Sequence, residues 1–207
     1  MSNPLYDALI APHTGVDKVF MTADDGSTLT FDRFVKATAQ MAHALTQAGV
    51  KVGDRIVVQA PKTVEMVTLY AAAVQTGAVF LPLNTAYTTD ELDYFVTDAS
   101  PALIVCTTTA HHAIVPLAAK VGATIRTLDA DGSGSLRDGC ADQPDHFDTV
   151  TRRPDDLAAL LYTSGTTGRS KGAMLTQANL LSNAQALTDL WQISQADTLI
   201  HALPIFH

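Results

Sequence analysis

Residues 157–176 read LAALLYTSGTTGRSKGAMLT, and the centre of that stretch is Thr163-Ser164-Gly165-Thr166-Thr167-Gly168-Arg169-Ser170-Lys171-Gly172. Glycines free the backbone for positive φ and let N–H groups approach a ligand without a Cβ in the way. Successive N–H groups in such a turn form an anion-binding concavity. Hydroxyls add hydrogen bonds or a contact to Mg²⁺, and a lysine adds a compact positive charge. The chemistry is that of a polyphosphate grip, with ATP as the first ligand to consider. The common P-loop ends in Gly-Lys-Ser/Thr and runs straight into a helix. Here Lys171 follows Ser170 and precedes Gly172, so that pattern fails. The apolar flanks, 157–162 and 173–175, read instead as two strands joined by the loop. Ordinary hairpins use two to five linking residues, so a plain surface turn accounts poorly for this one.

Working outward, strand and helix patterns alternate. Residues 31–47 carry Phe31, Phe34, Val35, Met41, Ala42 and Leu45 at helical spacing, with Gly49 as the stop. Strands are expected at 55–60, 79–83, 103–106 and 124–128, and helices at 63–74, from 89 onward with Thr88 or Thr89 as N-cap, and ending near Lys120. Such alternation with short connections predicts an α/β fold, mainly parallel sheet covered by helices on both faces. Residues 129–156, rich in Asp, Gly, Pro and Ser, read as a solvated connection between a first α/β unit (1–128) and a phosphate-loop unit (157–207). In the second unit a helix is expected at 177–190 and an apolar strand at 198–203.

Bulk properties narrow the classes. In 207 residues, 47% apolar and 16% charged residues describe a globular chain. The net charge of −8, with only 13 Lys and Arg, argues against a nucleic-acid partner. Residues 66–89 hold no charge, yet Thr68, Gln75, Gly77, Pro82 and Asn84 break them into a helix and a strand rather than a membrane span. The N-terminal residues lack a signal-peptide pattern. Two cysteines make no disulfide framework and suggest a reducing, cytoplasmic setting. Cys106 with His111 and His112 lacks metal-ligand spacing and reads as a buried thiol before a solvated helix start. His13, His43, His146 and His201 read as ordinary surface or core residues, and Asn84 and Tyr87 as members of a structural turn.

The run YTSGTTGRSKGAMLT resembles the phosphate-loop motif of the adenylate-forming acyl-CoA synthetase superfamily. The segments 29–34 (LTFDRF), 75–84 (QTGAVFLPLN) and 201–207 (HALPIFH) are similar to further motifs of that superfamily in the same order. Within it, 81–95 (LPLNTAYTTDELDYF), GRSKGAMLT and the ending IHALPIFH are similar to malonyl-CoA synthetases. The resemblance implies the first part of a ligase's large N-terminal domain. It implies activation of malonate, methylmalonate or another short or medium-chain acid with ATP, then transfer to coenzyme A. Thr163, Ser164, Gly165, Thr166, Thr167, Gly168 and Lys171 would hold the phosphates, with Thr166 helping to hold Mg²⁺ and Lys171 also acting on developing charge. His207, in Pro204-x-x-His207, would lie near the reacting carboxylate. Arg169 fits solvent or phosphate equally. An acidic Mg²⁺ ligand and a lysine-bearing C-terminal domain would follow residue 207, so the piece alone is expected to be inactive. A phosphate-binding NTPase unrelated to ligases and a non-catalytic remnant are the competing readings.

Overall fold

Three short strands are buried at nearly every position: β3 (Arg55–Gln59, RIVVQ), β4 (Val79–Pro82) and β5 (Leu103–Cys106). Continuous apolar character of this kind belongs to parallel strands covered on both faces. They are parallel in the computed structural model, which describes residues 2–163 and 170–206, with Val57 opposite both Leu81 and Ile104. β6 (Thr124–Thr127) extends the sheet beside β5, and β7 (Leu157–Thr163) extends it beside β4. β8 (Lys171–Thr176) returns antiparallel to β7, giving the order β6-β5-β3-β4-β7-β8.

The two-residue alternation of each strand assigns its side chains to two cores. Ile56, Val58, Phe80, Leu103 and Val105 pack with Met41 and Leu45 of α2 (Phe31–Gln47) and with Met66 and Leu69 of α3 (Val64–Thr76). Val57, Leu81, Ile104 and Cys106 face the other way. They meet Leu92, Phe95 and Val96 of α4 (Thr89–Ala99) and Ile114 and Leu117 of α5 (His111–Val121). Each helix start is marked locally. Thr30, Thr63 and Thr88 accept hydrogen bonds from the N–H groups of Arg33, Met66 and Glu91, each cap worth about 0.5–2 kcal/mol. The expected α/β architecture is therefore the observed one, with boundaries within a residue or two.

Several details differ from the sequence reading. A short helix α1 (Pro4–Leu9) and a hairpin of β1 (Val19–Thr22) and β2 (Thr28–Thr30) precede α2. Asn3 is buried, and its Nδ2 donates to the carbonyls of Val74 (2.8 Å) and Val150 (3.1 Å), tying the N-terminal segment to α3 and to residues before β7. The connection 129–156 is not purely solvated. It contains α6 (Ser135–Asp138), whose Leu136 is 2% exposed, and Phe147 packs against the α2–α3 core.

Residues 198–203 form no strand. Leu199, Ile200 and Leu203 are 81%, 85% and 74% exposed, and the sheet ends at β6 and β8 without pairing to them. Apolar composition makes a strand only where a neighbouring backbone supplies the ladder hydrogen bonds. The helix α7 (Gln177–Trp191) ends one residue beyond the expected stop.

Candidate functional site

The five parallel strands all direct their carboxyl ends to one edge of the sheet, the edge at which α/β proteins bind ligands. β7 reaches that edge at Thr163 and β8 leaves it at Lys171. The two residues are a registered antiparallel pair, and both are exposed. A hydroxyl and an ammonium thus stand together at the hairpin mouth, a donor set suited to a polyphosphate. Ser164, Gly165, Thr166, Thr167, Gly168 and Arg169, the remainder of the expected phosphate loop, lie outside the described residues. So does Thr166 as the expected Mg²⁺ contact, and so does His207. Among the described residues no three His, Cys, Asp or Glu side chains form a group able to hold a metal ion.

Below the mouth, both legs of the hairpin are tied to α4. The Tyr162 hydroxyl donates to the Asp98 carboxylate, and the Tyr94 hydroxyl donates to the Ser170 carbonyl (2.9 Å). Burial first, then the hydrogen bond and charge of Asp98, push the Tyr162 phenol well above its ordinary value. The rings of Phe95 and Tyr162 lie 4.6 Å apart, and Tyr87 adds its ring to Phe95 at 5.0 Å. α4 is itself secured at both ends. Thr88 and Glu91 form a capping box at its start. At its finish, Arg55 Nε and Nη2 donate to the carbonyls of Ala99 and Ser100, each at 2.7 Å, satisfying groups that helix ends leave open.

Two further residues organise the same edge. Gln59, at the carboxyl end of β3, donates from Nε2 to the carbonyls of Asn84 and Tyr87 (3.1 Å each), and Asn84 Oδ1 accepts from Ala86 N. These bonds tie the turn that carries Asn84 and Tyr87 to the end of β3. Lys62 Nζ donates to the Leu203 carbonyl (3.0 Å) and also to that of His201, while Ile205 packs on the core beside α3. The segment leading to His207 is thereby laid along the edge that bears the hairpin mouth. Of two surface clefts, one of about 400 Å³ lies apart, lined by α1 and α7; the other, of about 350 Å³, is lined by Arg55, Val79, Leu157 and Met174 and reaches Asp98 and Gly172 beside the α4–hairpin contacts.

Tyr94, Asp98, Gln59 and Lys62 were not singled out by the sequence. The spacing of Tyr94 and Asp98 does put them on one helix face, but nothing local says which element that face meets. Cys106 is buried, and His111 and His112 are exposed at the start of α5.

The family model for AMP-binding enzyme matches residues 10–207. Among solved structures, MatB from Rhodopseudomonas palustris superposes on 99% of this chain with a TM-score of 0.92 and 48% identity. Its ATP-bound form does so over the whole chain at 0.93 and 47%. An oxalate–CoA ligase of Arabidopsis thaliana is 33% identical over 79% of the chain, and the Humulus lupulus protein named "Probable CoA ligase CCL9" is 32% identical over 86%. The chain spans 40% of the apo MatB chain and 32% of the Arabidopsis ligase. No helix among the described residues is long and apolar enough to cross a membrane. The family match begins just after α1 and takes in the sheet, its helices and the hairpin mouth together, and the chain accordingly belongs to the AMP-binding enzyme family.

Proposed function

We propose that the protein carrying this chain is an ATP-dependent acid–thiol ligase that activates a short dicarboxylate, malonate or methylmalonate, for transfer to coenzyme A. In this reaction the substrate carboxylate attacks the α-phosphorus of ATP and pyrophosphate leaves. The thiol of coenzyme A then attacks the acyl carbon and AMP leaves. The protein's share is to hold the phosphates and to meet the charge that develops as pyrophosphate departs. Thr163, Ser164, Gly165, Thr166, Thr167 and Gly168 supply N–H and hydroxyl donors, and Lys171 supplies positive charge. Thr166 is the proposed hydroxyl contact to Mg²⁺, and His207 positions the acid. A reducing cytoplasmic setting fits the two free thiols.

The observation that carries this reading is the Thr163–Lys171 pair at the carboxyl edge of the sheet, in a chain of the AMP-binding family. Support for the dicarboxylate comes from the segments 81–95 and 200–207, similar to malonyl-CoA synthetases, and from the 48% identity to MatB. The test is pyrophosphate release by the complete gene product across short mono- and dicarboxylates, with thioester formation followed in parallel. Malonate and methylmalonate should lead. Preference for a medium-chain or aromatic acid would remove the dicarboxylate and leave the ligase, whereas pyrophosphate release with no acid would remove the ligase.

A further inference from the structure

One face of α4 holds both legs of the phosphate-loop hairpin. Tyr94 and Asp98 sit one helical turn apart, so their side chains share a face. Tyr94 reaches Ser170, 76 positions away in the chain, on the leg that leads into Lys171. Asp98 accepts from Tyr162, 64 positions away, on the leg that ends at Thr163. Tyr162 lies opposite Gly172, so the two contacts grip the hairpin on either side of its last pairs. Packing alone would hold a hairpin against a helix. Hydroxyl groups aimed at a backbone carbonyl and a carboxylate fix its height and rotation as well.

The grip is also rigid from behind. Asp98 and Tyr94 are carried by a helix closed by the Thr88–Glu91 capping box and by the Arg55 fork, and Phe95 is buried between them. Lys120 of α5 adds an ion pair to Asp93 at 2.6 Å. Gly172 gives the legs room. A Cβ there would stand 2.9 Å from Leu160 Cδ1 and 3.5 Å from the Tyr162 ring.

On the reading of residues 163–171 as the ATP phosphate grip, we infer that Tyr94 and the Asp98–Tyr162 pair are positioning residues for ATP. They touch no substrate; they hold the two ends of the loop, Tyr162–Thr163 on one leg and Ser170–Lys171 on the other, in register with each other. Neighbouring contacts far from the chemistry can matter this way because small misplacements of a preorganised donor set are costly to the reaction.

The experiment uses the complete gene product and compares wild type with Tyr94→Phe, Asp98→Ala, Asp98→Asn and Lys171→Ala. Three readouts are taken: KM for ATP against KM for the acid, amide hydrogen exchange across 163–172, and the thermal midpoint. Tyr94→Phe removes one hydroxyl and keeps the ring. It should raise KM for ATP about two- to tenfold, the loss of one ordinary hydrogen bond, and speed exchange in 163–172. The KM for the acid and exchange within α4 should stay at wild type. Asp98→Ala should do the same, and Asp98→Asn, which keeps an acceptor for Tyr162, should restore wild-type behaviour. Wild-type ATP kinetics and exchange in both Tyr94→Phe and Asp98→Ala would overturn the inference, as would a matched loss of both KM values with a lowered thermal midpoint. If Lys171→Ala weakens ATP use while neither Tyr94→Phe nor Asp98→Ala does, only the positioning role falls. If Lys171→Ala behaves as wild type, the phosphate grip itself falls and the positioning role with it.

Discussion

Thr163 and Lys171 are the terminal registered pair of the β7–β8 hairpin, so the connection between them starts and finishes at one point on the carboxyl edge of the sheet. That pairing fixes the backbone of Lys171 beside the β7 terminus, so its side chain starts from a set point on the sheet edge.

Replacing Lys171 by Ala should leave the fold unchanged, because the side chain is exposed. It should weaken ATP use by roughly ten- to a hundredfold, in line with about 1.5–3 kcal/mol for a hydrogen bond to a charged group. Thr166→Val and Thr167→Val should act in the same direction. Pyrophosphate release with ATP titrated at saturating acid measures it, and three variants at wild-type rates would remove the loop from ATP binding.

Two glycines separate backbone strain from crowding. Gly77 and Gly122 end α3 and α5 with φ of 73° and 71°. A Cβ at Gly122 meets nothing within 4 Å, so Gly122→Ala should cost only the roughly 1–2 kcal/mol of a left-handed alanine. A Cβ at Gly77 meets Arg152 Cδ at 2.9 Å and Val52 and Val150 at 3.3 Å, so Gly77→Ala should be clearly more destabilising. Urea midpoints of the two variants decide it, and equal losses would contradict the packing around Gly77.

Asn3→Ala should destabilise by about 1–3 kcal/mol, since it strips a buried donor from two carbonyls at once. The change should appear in the thermal midpoint without altering ATP KM. An unchanged midpoint would mean that the Asn3 amide contributes nothing to the fold.

The thiols set an alkaline limit. Burial raises both Cys106 and Cys140 from about 9 to about 11, with the charge of Asp129 adding to the effect at Cys106. In the unfolded chain each ionises near 9, while the native state keeps its proton until about 11. Their contribution is therefore complete below pH 9 and is lost as pH rises from 9 to 11. The half-buried Tyr70 and Tyr162, both raised, push in the same direction at higher pH. Stability measured by urea should fall across pH 9–11, and native thiols should alkylate far more slowly at pH 8 than unfolded ones. Rapid native alkylation would show that the two sites are open to solvent.

Much of this arrangement was legible because its causes are local. Thr30, Thr63 and Thr88 each precede an apolar periodic run, and a cap acts on an N–H only three residues away. The runs IVV at 56–58 and LIVC at 103–106 leave no polar face, which already marks central parallel strands. The glycine- and hydroxyl-rich run between two apolar flanks carries its anion-binding chemistry in its residue types alone. These features depend on neighbours a turn or a pleat away, and the chain determines them by itself.

Only the tertiary structure decided what lies beside what. Nothing near Asn3 announces that its amide would join Val74 to Val150, and nothing in DYFVTDA says that Tyr94 and Asp98 face a hairpin 64 to 76 positions downstream. Residues 198–203 have strand composition and no strand, because a ladder needs a second backbone that their position does not supply. Composition sets which surfaces seek burial, and closure of long loops sets which of those surfaces meet. The second depends on the whole chain at once, since a contact forms only where ordering both partners is offset by what surrounds them.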